Sequence, residues 1–261
     1  MQLSLSGFLF EDDYASQSMR FPDFCALAHS AGYDGVELRK TQINPDTPTA
    51  QRRQMLATIK EHGLAVTCLT ARGLPEGGTE RDEFLQDYLE LCEALECGLL
   101  KISSDTDWMQ GAAAAASKSG VVLAANNHVG GPLETIAGTR AYLGAIAHPN
   151  FGLLYDPLHL WLTGQDYAGC IREFFPATRN ILVHSLRPAE SDEAPDTVLG
   201  KQAWVRALPD APGAQDWPAI FRAYNGLGYD GLVTVIESGW PVTERVKVAR
   251  HCAEVIREMW R

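Results

Sequence analysis

The stretch FGLLYDPLHL, residues 151–160, decides how the rest of the chain is interpreted. It begins with a short apolar run, which is typical of a strand buried on both faces of a sheet. Asp156 follows the run, and Pro157, which has no backbone N–H, cannot continue a strand inside a sheet. The carboxylate of Asp156 is therefore predicted at the end of a buried strand, with His159 three residues further along.

Two later segments repeat this arrangement. The segment NILVHS, residues 180–185, carries His184 at the end of an apolar run, and GLVTVIES, residues 231–238, carries Glu237 at the end of another. Asp, His and Glu are all common metal ligands in proteins. Three metal-competent side chains thus end three successive predicted strands.

Strand-like apolar segments alternate with amphipathic helix-like segments along the whole chain. This alternation is typical of a parallel sheet with crossover helices, and 261 residues is close to the usual size of one eight-stranded α/β barrel. We therefore predict a single (β/α)8 TIM barrel that forms one domain over residues 1–261. The predicted strands are Leu3–Phe10, Gly35–Leu38, Ala65–Thr70, Leu99–Ser103, Val121–Ala125, Phe151–Tyr155, Ile181–Val183 and Leu232–Ile236. The predicted helices are Phe21–Ala31, Thr49–His62, Thr79–Glu96, Trp108–Lys118, Leu133–Ala147, Tyr167–Phe175, Trp217–Leu227 and Val242–Trp260.

The longest stretch without a predicted element is Ser185–Gln215, which is rich in Pro, Asp, Glu and Ala. In such a barrel it is the loop after the seventh strand, on the face where active sites are built. We expect a mobile lid or a substrate loop there.

The composition limits the class of partner and the compartment. A formal net charge of −11 does not favour binding to nucleic acid or to an anionic membrane, so a small-molecule partner is expected. The six cysteines form no CxxC pair and fall within apolar patterns, which indicates reduced thiols of a cytoplasmic protein. The N-terminal segment lacks the basic region of a signal peptide, and no apolar run approaches the roughly 20 residues of a membrane span. The sequence leaves a homo-oligomer open.

The carboxyl ends of parallel strands in a closed barrel meet at one rim, so the ends of strands five to eight converge. The residues at these ends are Asn126, Asp156, His184 and Glu237. Two carboxylates, an imidazole and an amide oxygen suit one divalent cation, namely Mn²⁺, Mg²⁺, Co²⁺ or Zn²⁺. Each residue alone also fits a turn or a strand end, but the ordered set favours a metal site. For Asn126, ligation and simple hydrogen bonding both stay open.

Other polar residues near the predicted strand ends are candidates for substrate contact. Glu37 and Arg39 end the second strand on the same side by alternation, although they can also form a purely structural ion pair. The predicted substrate contacts are Glu37, Arg39, Lys101, His128, Arg187 and Trp240.

The sequence resembles the xylose-isomerase-like TIM-barrel superfamily of sugar-phosphate isomerases and epimerases. The resemblance covers nearly the whole chain in order. The segments that carry it are GYDGVEL (32–38), LAANNHVGGPLET (123–135), GLLYDPLHL (152–160), LVHSLRP (182–188) and DWPAIFRAYNGLGYDGLVTVIES (216–238).

The resemblance implies that strands five to eight supply Glu, Asp, His and Glu to one divalent cation, and that the two glutamates move protons. Asp156, His184 and Glu237 fit this pattern. Asn126 departs from it, because an amide cannot accept a proton as a base. The ligand set loses one negative charge, so we expect weaker metal binding and a more electrophilic ion.

The resemblance also implies an enzyme that acts on a small sugar, ketose or sugar phosphate. The first hypothesis is a metal-dependent isomerase or epimerase, in which Glu237 abstracts a proton next to a carbonyl held by the cation. His159 resembles the substrate-contacting histidine of the family and is expected to shuttle the second proton. Epimerisation requires a base on each face of the substrate, whereas isomerisation and elimination of water need only one. The alternative is therefore a metal-dependent dehydratase or lyase on a sugar- or cyclitol-derived ketone.

Two other classes of function are weighed against these. A branch of the superfamily cleaves DNA at abasic sites, but the acidic balance and the lack of further His and Asp ligands for a three-zinc site argue against it. The amide at Asn126 also allows a binding protein that has lost catalysis.

Overall fold

Eight parallel strands close into a barrel in the computed structural model, which describes residues 1–199 and 201–261. Each strand is hydrogen-bonded to its neighbours in chain order, and the first closes the barrel by pairing with the eighth. The predicted TIM-barrel fold is therefore confirmed. The barrel strands are β1 (Gln2–Ser6), β2 (Gly35–Leu38), β3 (Ala65–Thr70), β4 (Leu99–Lys101), β5 (Val122–Asn126), β6 (Phe151–Tyr155), β7 (Thr178–Val183) and β8 (Leu232–Val235).

The helices connect the strands and pack against them. Within the described residues they are α1 (Phe21–Ser30), α2 (Thr49–Glu61), α3 (Gly78–Ala94), α4 (Thr106–Ser117), α5 (Ile136–Ile146), α6 (Pro157–Leu162), α7 (Ile171–Phe174), α8 (Trp217–Gly226) and α9 (Arg245–Trp260). Most of them match the predicted helices to within three residues at each end.

The first strand is shorter than predicted. It ends at Ser6, whose hydroxyl oxygen accepts a hydrogen bond from the Phe8 backbone N–H at 3.1 Å and caps a 3₁₀ turn. A small hairpin follows, in which Glu11–Asp12 pairs with Ser16–Gln17. Because the chain turns here, Phe8 and Tyr14 line the mouth of the barrel instead of extending the strand.

Helix α6 was not predicted. It begins at Pro157, where the missing N–H is not needed in the first turn, directly after Asp156. The helix predicted over Tyr167–Phe175 shrinks to α7 because a turn precedes it, in which the Gly169 N–H donates to Asp166 Oδ1 at 2.8 Å.

The segment Ser185–Gln215, predicted to lack regular structure, contains a three-stranded antiparallel sheet. Its strands are Ser185–Pro188, Thr197–Leu199 and Gln202–Ala207, and the last lies between the other two. We call this sheet the lid sheet. Its central strand buries Trp204 against Trp161, with ring centroids 4.8 Å apart.

The strand register explains which side chains reach the barrel mouth. Apolar side chains of five successive strands form one cluster in the barrel interior, namely Cys68, Leu99, Ala124, Leu154 and Leu182. Side chains two residues further along a strand point to the same side. In the same order these residues are Thr70, Lys101, Asn126, Asp156 and His184, so the cluster forms the floor beneath the polar site.

The six cysteines are all buried with free thiols, as the sequence predicts. None of the helices in the described part of the chain combines the length and apolar character that crossing a membrane requires.

Candidate active site

Asp156 and His184 form the centre of the site. The Asp156 side chain is fully buried, and its two oxygens lie 2.9 and 3.1 Å from His184 Nε2. Asn127, also fully buried, fixes this strand end: Asp156 N donates to Asn127 Oδ1 at 2.9 Å, and Asn127 Nδ2 donates to Asp156 O at 2.5 Å. The carboxylate is therefore held on a rigid backbone.

The electrostatics of this pair favour charge on both partners. Burial alone would raise the pKa of Asp156, but the charge of His184, its hydrogen bond to the carboxylate and the charge of Lys101 outweigh it and lower the pKa. Burial alone would lower the pKa of His184, but the adjacent carboxylate of Asp156 raises it. Asp156 is consequently an anion at neutral pH and able to hold a cation.

His159 approaches the same carboxylate from α6. Its Nε2 lies 3.6 Å from Asp156 Oδ2, and its Nδ1 is buried without a hydrogen-bond partner among the described residues. Burial lowers the pKa of His159 to about 3, so the ring is neutral at physiological pH and offers a lone pair. The His128 ring packs against it, with centroids 3.9 Å apart and ring planes tilted by 38°.

These residues fit the divalent cation that the sequence predicts. One ligand atom from each of Asp156, His159 and His184 lies within 4.8 Å of the other two. One carboxylate and two imidazoles are a donor set that suits Zn²⁺, Mn²⁺ or Co²⁺, and a bound ion would take the place of the proton that Asp156 favours on His184. His159, predicted as a catalytic residue, therefore belongs to the ligand cluster, and its spacing from Asp156 was the signal in the sequence.

The other two predicted ligands lie beside this cluster. Asn126 lines the same cavity, and its Nδ2 donates to Asn127 O at 3.2 Å, which leaves its carbonyl oxygen without a donor among the described residues. Glu237 is buried, and its oxygens accept hydrogen bonds from Ser185 N at 3.0 Å and Trp240 Nε1 at 2.9 Å. Burial raises the pKa of Glu237 to about 7, although these hydrogen bonds oppose the shift.

Two adjoining cavities of about 360 and 380 Å³ form the mouth of the barrel. Both are lined by Phe8, Tyr14, His128, His159 and His184, so they are parts of one cleft. This volume is in the range of small-molecule sites.

The predicted substrate contacts divide into two groups. Arg39, Lys101 and His128 line the cleft. The other three are not among the residues that line it. Glu37 is fully buried beside Thr70 and Arg39, Trp240 donates to Glu237, and Arg187 pairs with Glu193 at 2.5 Å. Glu37 and Arg39 form the ion pair that was the alternative interpretation, with Arg39 Nη1 3.6 Å from Glu37 Oε1.

Several residues of the cleft were not singled out from the sequence. Arg72 lies two residues after β3 and lines the cavity, while Phe8 and Tyr14 arrive through the N-terminal turn and hairpin. The strand-end rule that identified Asp156 also applies to Arg72. No sequence signal indicated Tyr14.

The family model described as xylose isomerase-like TIM barrel matches residues 25–259 of the chain. The chain belongs to this family. The match confirms the resemblance predicted from the sequence, and the xylose isomerase-like barrel has the closed eight-stranded architecture described above. Among curated proteins, no match to the chain was found.

Solved structures similar to this xylose isomerase-like barrel include enzymes of different reaction types. The probable 3-DHS dehydratase AsbF of Bacillus anthracis, involved in petrobactin synthesis, has a TM-score of 0.77 at 15% identity over 98% of this chain and 99% of its own. A D-psicose 3-epimerase has a TM-score of 0.76 at 15% identity over 100% and 99%. An L-ribulose 3-epimerase has a TM-score of 0.75 at 17% identity over 100% and 95%. At these identities the likeness establishes the fold.

Proposed function

We propose that the chain is a divalent-cation-dependent isomerase or epimerase that moves a proton next to the carbonyl of a small carbohydrate. The observation that carries the proposal is the Asp156, His159 and His184 cluster, whose ligand atoms lie within 4.8 Å of one another beside the buried Glu237. The family match and the sugar epimerases among the structural neighbours support this class of reaction.

Asp156, His159 and His184 would hold the cation, with the carbonyl oxygen of Asn126 as a further donor. When bound, the cation supplies Lewis acidity that makes a C–H next to a carbonyl more acidic. The neutral imidazole of His159 needs no deprotonation before it binds the ion.

Glu237 is the proposed base. Each of its oxygens accepts one hydrogen bond and keeps a free lone pair, so the carboxylate is oriented without being saturated. A pKa of about 7 suits a group that takes up and returns a proton at neutral pH. In an isomerisation, Glu237 would remove a proton from the carbon next to the carbonyl and deliver it to the carbonyl carbon, while the hydroxyl proton of the first carbon passes to the former carbonyl oxygen.

A second candidate is a dehydratase or lyase that uses the same cleft. It is favoured by Asn126, because the amide leaves Glu237 as the carboxylate base and a single base is enough for elimination. The neighbours include a probable dehydratase as well as epimerases, so the fold is compatible with both reactions.

The proposal is tested by proton exchange in heavy water. The purified full chain, loaded with Mn²⁺ or Zn²⁺, is incubated with a panel of ketoses, sugar phosphates and keto sugar acids. Deuterium should enter beside the carbonyl, and Glu237→Gln should slow this exchange by about 10²–10⁴-fold. The matched control is Glu254→Gln, which removes an exposed carboxylate from α9 and should leave exchange unchanged.

The outcome separates the two candidates. Exchange with a rearranged product that keeps all the carbon and oxygen atoms of the substrate supports the isomerase, and a product that has lost one water supports the dehydratase. Absence of exchange and of elimination with the whole panel would contradict both.

A further inference from the structure

The mouth of the barrel is divided by charge. Three successive strands place a cation at their carboxyl ends along one wall of the cavity, namely Arg39 after β2, Arg72 after β3 and Lys101 at the end of β4. The Asp156 and His184 pair lies at the ends of β6 and β7, and β5 separates these strands from β4. A molecule that reaches the Asp156 cluster therefore also faces a cationic wall.

Arg72 is held in place while part of its guanidinium is left unpaired. Its guanidinium carbon lies 4.0 Å from the centroid of the Tyr14 ring, an arrangement that fixes the plane of the group. Its Nη1 is buried and has no hydrogen-bond partner among the described residues. A buried N–H donor without a partner is costly, and a planar guanidinium matches the geometry of carboxylate and phosphate oxygens. The Arg72 side chain lines the cavity, so its guanidinium has unused hydrogen-bonding capacity at the wall where an anionic ligand would lie.

Lys101 lies next to Arg72. Thr70 and Lys101 are paired in register, and the Ala71 N–H donates to Lys101 O at 3.0 Å, so the two cations leave adjacent strands at the same level. The ammonium group of Lys101 makes no hydrogen bond and no ion pair within 4.0 Å to the residues that the structure describes. It is a second donor that the protein itself does not use.

Arg39 differs because the protein already balances its charge. Its Nη2 lies 3.2 Å from Glu11 Oε2 and its Nη1 lies 3.6 Å from Glu37 Oε1. The wall thus contains three cations, those of Arg39, Arg72 and Lys101, and the two carboxylates of Glu11 and Glu37. When all five groups are ionised, one net positive charge is left. Arg72 and Lys101 carry this excess.

We propose that Arg72 and Lys101 bind an anionic group of the substrate, a carboxylate or a phosphate ester, so that the substrate is a sugar acid or a sugar phosphate and not a neutral sugar. This inference rests on the proposed function for the reacting end of the molecule. The anion lies against β3 and β4, and the carbonyl end reaches the Asp156 cluster across the cleft.

The test compares the binding of matched ligands by isothermal titration calorimetry. D-fructose 6-phosphate is paired with D-fructose, and D-glucuronate is paired with D-glucose, so that each pair differs in its anionic group. At least one anion should bind wild-type protein about tenfold or more tightly than its neutral partner, because bonds to charged groups are strong. Preference in the first pair identifies a phosphate, and preference in the second identifies a carboxylate.

Three variants locate the site. Arg72→Gln and Lys101→Met should each reduce the preference for the anion by about tenfold, and Arg72→Lys should restore part of it. Arg53→Gln, an exposed position on α2, makes the same charge change and should leave the preference intact. Circular dichroism of each variant confirms folding.

The proposal is overturned if the neutral partners bind as tightly as the anions, if Arg72→Gln keeps the full preference, or if no anion binds at about 10 mM. These outcomes are independent of the exchange experiment above. Anion binding without proton exchange would refute the proposed reaction alone, and exchange with neutral ketoses alone would refute the anion site.

Discussion

Asn126 is the residue that most separates this chain from the ligand pattern expected from its resemblance. Its carbonyl oxygen faces the cleft without a donor among the described residues, so the position is open to a ligand, yet it brings no charge. The site therefore holds one carboxylate, Asp156, in the cluster and a second, Glu237, beside it. Charge at position 126 should control the affinity for the cation.

Replacing Asn126 by Glu should tighten the binding of Mn²⁺ by about tenfold or more, because the added ligand is anionic. Isothermal titration calorimetry on metal-free protein measures the effect. Asn126→Gln has the same length without the charge and should show no gain. Equal affinities for the two variants would mean that residue 126 does not contact the cation.

Replacing Trp240 by Phe should raise the pKa of Glu237 further. The indole N–H donates to the carboxylate and stabilises its charged form, so its loss favours the protonated form by about one pKa unit. Carbon-13 NMR of the labelled carboxyl group in metal-free protein measures the pKa. Trp108→Phe, whose indole donates to Asp82 on the surface, serves as the control. An unchanged or lower pKa in Trp240→Phe would contradict the prediction.

At the scale of elements, the site depends on two that the sequence pattern did not predict, α6 and the lid sheet. Helix α6 brings His159 within reach of Asp156. The lid sheet is tied to the loop after β8, since Arg206 Nε donates to the carbonyl oxygen of Ser238 at 2.8 Å and the guanidinium also pairs with Asp196. This loop carries Glu237, so the lid sheet and the proposed base are mechanically linked.

Replacing Arg206 by Gln should release the lid sheet from this loop. We expect faster amide hydrogen exchange in Gln202–Ala207 and around Ser238, with little change in melting temperature because the Arg206 ion pair is partly exposed. Arg187→Gln breaks a different ion pair of the same sheet and should leave exchange near Ser238 unchanged. Identical exchange at Ser238 in wild type and Arg206→Gln would show that the contact does not anchor the loop.

At the scale of the whole molecule, the barrel and half of its site follow from local patterns. Apolar runs in the sequence predict the buried strands. Because the barrel is closed, the ends of strands that are distant in sequence meet, and Asp156 and His184 could therefore be predicted to lie together. The assignments of Trp240 and Arg187 as substrate contacts depended on nearness in sequence. In the structure they contact Glu237 and Glu193, and these contacts are set by side-chain geometry that a linear pattern does not contain.

The lid sheet and Tyr14 were missed for a related reason. Short strands among Pro and Asp residues carry little periodicity, and their pairing is decided by contacts such as Trp204 with Trp161. Tyr14 reaches Arg72 from 58 residues away through a hairpin with two left-handed residues, Asp13 and Tyr14. Such contacts between distant parts of the chain cannot be read from either segment alone.

A bound cation should stabilise the whole fold. At a concentration about 100 times the dissociation constant, Zn²⁺ or Mn²⁺ adds about 2.7 kcal/mol to the free energy of unfolding, which corresponds to a rise in melting temperature of roughly 5–10 °C. Asp156→Asn should abolish this rise, and the exposed Asp192→Asn should keep it. Differential scanning calorimetry with and without chelator measures both. An undiminished rise in Asp156→Asn would place the cation elsewhere.

The separation of the cationic wall from the Asp156 cluster also affects how the substrate selectivity of such a protein can change. Arg72 and Lys101 come from the first half of the chain, whereas Asp156, His184 and Glu237 come from the second. A change in the turns after β2 and β3 can therefore alter which molecules are accepted while the proton chemistry stays intact. Grafting residues 71–77 between related barrels is a direct route to new selectivity on an unchanged reaction centre.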